Sequence, residues 1–269
     1  MIIGILGGGV VGRATARTWL EHCQEVRVYD SVKERRTHEL SDLKRCDLVF
    51  ICVPESELDK CLTEWHGTPV NMVLRSTVPI GTTRKIRDRH DIQGIVHSPE
   101  FLTERCAMTD AQMPAQLIVG VPDWNQMDPD QCGPILCGMY RNRFPGVPIN
   151  LMLSDESELV KLIVNAFAAT KVSFFNEMRA LSDAVGCDWQ RVIEAVLGDG
   201  RIGYSWTKVP GPDGKRGFGG KCLPKDLNTL LECFGKFDSL VTDVVIGRAC
   251  PLLSVVKYRN KHVDRKEQA

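Results

Sequence analysis

Ten consecutive residues, Gly217-Phe218-Gly219-Gly220-Lys221-Cys222-Leu223-Pro224-Lys225-Asp226, concentrate groups capable of covalent chemistry. Three glycines in four positions let the backbone approach a ligand closely, and they deliver Cys222 ahead of Pro224 and an apolar helical run over residues 227–234. A helix start carries partial positive charge, and with Lys221 and Lys225 it favours the thiolate, the nucleophilic form of cysteine. Asp226, four residues on, can accept or orient a proton. A cysteine taken at random is a small buried hydrophobe, so it is this setting that singles out Cys222.

Two further groups of residues have the right chemistry. Between residues 159 and 169 the only polar side chains are Lys161 and Asn165, four apart and therefore on one face of a helix. A segment apolar on every face is expected to be buried between other elements. A lysine held there needs a partner or a ligand, unless it snorkels to the surface. The run Ser98-Pro99-Glu100-Phe101-Leu102-Thr103-Glu104 predicts a helix with Pro99 at its first position and Glu100 and Glu104 sharing a face. Those acids are either a working pair or two solvated carboxylates.

The elements that must position these groups begin at the first strand. Residues 2–6 form an apolar run, followed by Gly7-Gly8-Gly9-Val10-Val11-Gly12 and a helical pattern over residues 13–22. In this GxGxxG spacing Gly7 makes the turn, Gly9 admits a pyrophosphate, and Gly12 lets helix and strand pack closely. Amides at the helix start, including those of Val10 and Val11, then hold phosphates. A second strand over residues 25–29 ends in Asp30, about 20 residues past the glycines, where a carboxylate can bind both ribose hydroxyls of NAD. Arg35 and Arg36 keep NADP open as an alternative. Residues 47–53, ending in Val53 before Pro54, and residues 70–74 are further strands, with later ones at 94–97, 116–120 and 147–152 and a helix near 131–140. Alternation of strands with helical segments implies an α/β fold with a doubly wound sheet of the Rossmann type. Loops after strand ends bind ligands in such sheets, which makes Thr77 a candidate hydroxyl near a nicotinamide, or a plain turn threonine.

From residue 153 onward the pattern is mainly helical. Asp155 and Glu158 have capping-box spacing, and helical pattern runs to about residue 185 and resumes at Asp188. A Gly- and Pro-rich loop fills residues 199–220, a helix over 240–263 carries Pro251 as a kink, and residues 259–269 read as a solvated charged tail. The expected organisation is a cofactor-binding domain over residues 1–152 and a helical domain over 153–269.

Composition sets outer bounds. The 269 residues carry 34 basic and 34 acidic side chains, a balance that attracts neither nucleic acid nor an anionic membrane. No apolar run is long enough to span a bilayer, and no secretory leader is evident, so a cytoplasmic setting is expected. Eleven cysteines without paired spacing fit reduced thiols, and the six histidines show no metal-site spacing.

Together, GFGGKCLPKD, RSTVPIGTT, SPEFLTE and ELVKLIVNAF with FFNE resemble the signature stretches of the UDP-glucose/GDP-mannose dehydrogenase family, over residues 2 to about 260. The resemblance implies oxidation of a nucleotide-sugar primary alcohol to a carboxylate by two NAD in succession. It implies Cys222 as the nucleophile that forms a thiohemiacetal and then a thioester. Lys161 and Asn165 would stabilise the reacting oxygen, Asp226 and Thr77 would position water and alcohol, and Glu104 would serve thioester hydrolysis. Glu100, Phe101, Leu102 and Gly219 would line the substrate, while Gly7, Gly9, Val10, Val11, Gly12, Asp30, Val53, Thr77 and Lys225 would surround NAD. Members of the family continue into a further nucleotide-sugar-binding domain that this sequence does not include. A homodimer is expected, with a second chain as the alternative source of the rest of the substrate site. Two other readings stay open: a two-electron hydroxy-acid dehydrogenase, and a non-catalytic NAD-binding subunit.

Overall fold

In the computed structural model of the protein, residues 1–125, 127–128, 130–220, 222–236 and 251–262 are described. The chain divides into two compact units, Met1–Lys161 and Leu162–Ala269.

The first unit is built on a seven-stranded sheet. Its strands are β1 (Ile2–Leu6), β2 (Glu25–Tyr29), β3 (Leu48–Ile51), β4 (Asn71–Leu74), β5 (Ile95–His97), β6 (Leu117–Val121) and β7 (Ile149–Leu153). Their order is β2-β1-β3-β4-β5-β6-β7, and every pairing is parallel except β5 with β6. The chain leaves β1 for one edge and returns past it to β3, so the carboxyl ends of β1 and β3 form the switch point where such sheets bind ligands.

Strand periodicity explains the two cores. Ile3, Ile5, Leu48 and Phe50 face one side with Trp19, Leu136 and Tyr140. The alternate residues Leu6, Val49 and Ile51 face the other with Leu43, Leu62 and Trp65. Helices α1 (Val10–Trp19), α2 (Leu40–Leu43), α3 (Leu58–Leu62), α4 (Thr82–His90), α5 (Ala107–Asp110) and α6 (Cys132–Arg143) connect the strands. A long helix, α7 (Ser154–Ala184), begins in this unit.

Among its described residues the second unit has no strand. It holds the rest of α7, then α8 (Trp189–Leu197), α9 (Cys222–Lys236) and α10 (Pro251–His262). Asp188 caps α8 by accepting from the amides of Gln190 and Arg191. A small core joins Phe175, Trp189, Ile193 and Val209.

Three expectations change. Pro251 opens a helix, where its missing N–H costs nothing, and the stretch expected to precede it, residues 240–250, lies outside the described residues. Residues 259–262 are helical, while residues 263–269 lie outside the described ones. The apolar segment of α7 is not enclosed on every side. Ile163 (51% exposed), Phe167 (67%), Phe174 (53%) and Leu181 (57%) form a stripe at i, i+4, i+11 and i+18.

Candidate active site

At the switch point each glycine has a separate geometric reason. Gly7 turns with φ +102°, and its amide donates to the Tyr29 carbonyl at 2.8 Å. A Cβ on Gly12 would lie 1.8 Å from the Gly7 carbonyl oxygen, so helix α1 can approach the strand only with glycine there. A Cβ on Gly9 would meet nothing within 4 Å, which leaves open space in front of the first-turn amides of Val10, Val11 and Gly12. That is the form of a phosphate cradle, and it fits a dinucleotide. Asp30 stands beside it: one carboxylate oxygen accepts from the Gly8 amide at 2.7 Å and the other from the Val32 amide at 2.8 Å. Each oxygen retains acceptor capacity for a ribose hydroxyl. Val53 borders the turn, its Cγ1 3.0 Å from where a Gly7 Cβ would be. Gly8 is a residue that the sequence reading passed over; a Cβ there would lie 2.5 Å from the Arg35 carbonyl, a contact invisible in the motif.

The strand ends beyond are tied together by buried polar groups. Ser76 Oγ donates to the Val53 carbonyl at 2.5 Å, in the turn that carries the half-buried Thr77. His97, read from sequence as ordinary, is fully buried between the Ser76 carbonyl (Nε2, 3.3 Å) and the Ser157 hydroxyl (Nδ1, 2.7 Å). Burial, aided by the nearby charges of Arg75 and Lys161 and resisted by the Ser76 bond, pushes its pKa down to about 3. The ring is therefore neutral. In one neutral tautomer Nε2 donates to the Ser76 carbonyl; in the other Nδ1 donates to the Ser157 hydroxyl, which itself donates to the Ser154 carbonyl at 2.8 Å.

Glu158 does not close a capping box on its own helix. Its carboxylate is fully buried and caps α4, accepting from the amides of Gly81 (2.5 Å) and Thr83 (2.8 Å) and from the Thr83 hydroxyl (2.6 Å). Asp155 is instead engaged by Arg84 at 2.5 Å. Desolvation raises the Glu158 pKa to about 7 against the pull of those donors, with Asp155 adding to the rise.

Lys161, 4% exposed, has the partner its burial demands. Its ammonium donates to the Glu100 carbonyl at 2.5 Å, lies 3.4 Å from Glu100 Oε1, and sits 5.1 Å from the centre of the Phe101 ring. The predicted helix over residues 98–104 is absent. Glu100 Oε2 instead accepts from the Leu102 amide at 2.7 Å, a local turn that competes with helix. Glu100 is thereby drawn in while Glu104 remains exposed, so the two acids share no helix face.

In the second unit Cys222 is the first residue of α9 and is exposed. Gly217 (φ +74°) and Gly220 (φ +73°) turn the chain into that helix, with half-buried Gly219 between them. One turn on, Asp226 is 1% exposed and its Oδ2 accepts from Asn165 Nδ2 at 2.5 Å. The Lys225 ammonium lies 2.7 Å from Oδ1 and forms an ion pair with it. Lys221 lies outside the described residues. Lys171 holds the start of the long loop by donating to the carbonyls of Ile202 (2.8 Å) and Gly203 (2.9 Å), a contact that the sequence reading missed. Among the described residues no group of three His, Cys, Asp or Glu side chains is arranged to hold a metal, and no helix is long and apolar enough to cross a membrane.

Residues 155–243 match the model of the UDP-glucose/GDP-mannose dehydrogenase family, central domain. The UDP-glucose 6-dehydrogenase of Campylobacter jejuni is 34% identical over 182 residues, which cover 66% of this chain and 43% of that protein. The matches to the first four curated relatives cover between 38% and 50% of their lengths, so the matched part of this chain spans half of those relatives or less. A UDP-glucose dehydrogenase structure from the archaeon Pyrobaculum islandicum superposes with a TM-score of 0.76 at 25% identity, covering 97% of this chain and 68% of that one. The 3-hydroxyisobutyrate dehydrogenase of Mycobacterium tuberculosis shares the fold alone, with a TM-score of 0.68 at 17% identity over 98% of this chain and 94% of that one.

Proposed function

We propose, for a chain whose residues 155–243 belong to the UDP-glucose/GDP-mannose dehydrogenase family, that it oxidises a nucleotide-sugar primary alcohol, UDP-glucose first among them, to the carboxylate. NAD, when bound, supplies the hydride acceptor for two successive oxidations. The glycine turn, the first-turn amides of α1 and Asp30 hold its pyrophosphate and ribose, with Val53, Thr77 and Lys225 beside it.

The chain's own groups do the rest. Cys222 adds its sulfur to the aldehyde carbon left by the first oxidation, giving a thiohemiacetal. Loss of hydride from that carbon makes a thioester, and water then releases the carboxylic acid and regenerates the thiol. Lys161 provides fixed positive charge where the oxyanion develops, with Asn165 donating beside it. Asp226 and Thr77 orient water and alcohol. Glu104 was the sequence candidate for thioester hydrolysis; the carboxylate held against Lys161 is Glu100, which makes Glu100 its competitor for that role. Phe101, Leu102 and Gly219 contact the substrate.

One observation carries this reading: two polar residues one turn apart on α7, Lys161 and Asn165, are each engaged by a carboxylate, Glu100 and Asp226 respectively. An ordinary core helix does not retain such groups, because each costs desolvation. The exposed stripe of α7 is the surface for a second copy of the chain, and the setting of the enzyme is the cytoplasm.

The test is NADH formation by purified protein with UDP-glucose and a panel of other nucleotide sugars, with stoichiometry read at completion. Two NADH per sugar, abolished by Cys222→Ser, is the expected result. NAD binding without turnover on any nucleotide sugar, or full turnover in Cys222→Ser, would overturn the reading.

A further inference from the structure

We propose that Asn260 is a positioning residue for Cys222, holding, together with Asn176, the glycine-flanked segment that leads into α9. The proposal rests on the reading of Cys222 as the reacting thiol for its functional meaning, though not for its geometry.

Phe218 is 4% exposed and lies in a loop, where no ladder supplies partners for its peptide groups. Buried backbone groups left unpaired are costly, so something must satisfy them. Asn260 Oδ1 accepts from the Phe218 amide at 2.8 Å, and Asn260 Nδ2 donates to the Phe218 carbonyl at 3.0 Å. One carboxamide thus does what a neighbouring strand would do, which needs a donor and an acceptor on a single carbon. On the adjoining peptide, Asn176 Oδ1 accepts from the Gly217 amide at 2.9 Å, and its own Nδ2 is anchored on the Val172 carbonyl at 2.8 Å. Asn176 is 5% exposed, so this anchor is rigid.

The two clamps come from different helices, α7 and α10, and grip consecutive residues. Gly217 and Gly220, both at positive φ, flank the gripped residue and make this stretch the most easily deformed part of the approach to Cys222. Helix α10 also packs against α9, so one element fixes both the loop and the helix that the cysteine begins. Nothing else in the described chain gives Asn260 a function: it sits in a stretch read from sequence as solvated tail.

The consequence is chemical. A thiol at a helix start gains thiolate character only while the first-turn amides are held toward it. Release of Phe218 lets that turn fray.

The experiment measures alkylation of each cysteine by iodoacetamide in the full chain, resolved by peptide mass spectrometry, over a pH series bracketing the ordinary thiol pKa of about 8.5. Cys106 and Cys187, both exposed, are internal controls. In Asn260→Ala the Cys222 rate near neutral pH should fall about threefold or more, with its pH midpoint moved upward and the controls unchanged. Asn260→Asp keeps the acceptor and loses the donor, so it should lie between Ala and wild type. Asn176→Ala tests the same clamp from the other helix and should shift Cys222 in the same direction. A Cys222 profile unchanged in both alanine variants overturns the proposal, as does a shift shared equally by Cys106 and Cys187, which would report general loosening. Because alkylation needs no substrate, a protein that turns over no nucleotide sugar yet shows the shift loses the proposed function and keeps the clamp.

Discussion

Lys161 and Glu100 satisfy each other inside the protein: the ammonium is bonded to the Glu100 carbonyl at 2.5 Å and lies 3.4 Å from its carboxylate, with the two side chains 5% and 11% exposed. Removing one member of such a pair leaves a buried charge without compensation, at a cost of about 3 kcal/mol or more. Glu100→Gln should therefore lower unfolding stability by about that amount in denaturant titration, whereas Glu104→Gln at an exposed position should stay within about 0.5 kcal/mol. The same pair of variants separates the two acids in catalysis. If thioester hydrolysis falls to Glu100, its variant stops after one burst of two NADH per site with the acyl group trapped on Cys222, while Glu104→Gln keeps turning over; the reverse pattern restores the assignment to Glu104.

The glycine turn gives a prediction in which fold and binding part company. Gly9→Ala places a methyl in open space, so the melting temperature should hold while the dissociation constant for NAD rises about tenfold or more, since that space is where a pyrophosphate approaches. Gly12→Ala would put its Cβ 1.8 Å from the Gly7 carbonyl oxygen and should instead lower the melting temperature, because backbone must move. Calorimetric titration alongside thermal unfolding reads both. Equal effects of the two substitutions on NAD affinity, with neither altering stability, would mean that this turn is not the cradle.

Asp226 binds Asn165 in the second unit, and the carboxylate is buried while its neighbour Lys225 is half exposed. Asp226→Asn keeps the shape and an oxygen facing Asn165 but removes the charge. The expected outcome is a fall in kcat of about tenfold or more, the lower end for loss of an acid–base group, with NAD affinity preserved. An unchanged kcat would reduce Asp226 to a structural partner of Asn165.

Much of this was readable from the sequence because periodicity is local. The strands, the switch-point glycines, Asp30 and the four-residue spacing of Lys161 and Asn165 follow from patterns within a few residues of one another. What escaped depended on contacts distant in sequence. Glu158 has the spacing of a capping-box residue for α7, and nothing local reveals that it serves α4 some 75 residues earlier. Pro99 and the two glutamates have a helix-like arrangement, but burial of Lys161, 61 residues away, draws Glu100 aside. His97 carries no motif at all, and its importance lies in where the ends of β4 and β5 and the start of α7 converge. Asn260 was hidden by its charged neighbours, since composition reports the average environment of a segment and not the one side chain turned inward.

The buried pair Glu158 and His97 makes the last prediction, because their perturbed pKa values act in opposite directions. Glu158 ordinarily titrates near 4.5 and in the fold near 7, so its contribution is fully present below 4.5 and is lost as pH rises through 7. His97 ordinarily titrates near 6.5 and in the fold near 3, so its contribution is present above 6.5 and is lost as pH falls toward 3. Between pH 4.5 and 6.5 the folded chain keeps a proton on Glu158 that the unfolded chain releases, while the unfolded chain keeps one on His97 that the folded chain excludes. These two contributions cancel there, leaving this pair without net pH dependence across that interval. Glu158→Gln should expose the histidine alone, with stability rising by up to about 1.4 kcal/mol per pH unit relative to wild type. His97→Gln should expose the acid alone, with stability falling at a similar rate. Any constant offset from an unsatisfied Gly81 amide or a lost Ser157 bond leaves these slopes unaffected. Denaturant unfolding of the three proteins at several pH values reads the slopes directly, and two variants running parallel to wild type would show that neither group titrates as its burial dictates.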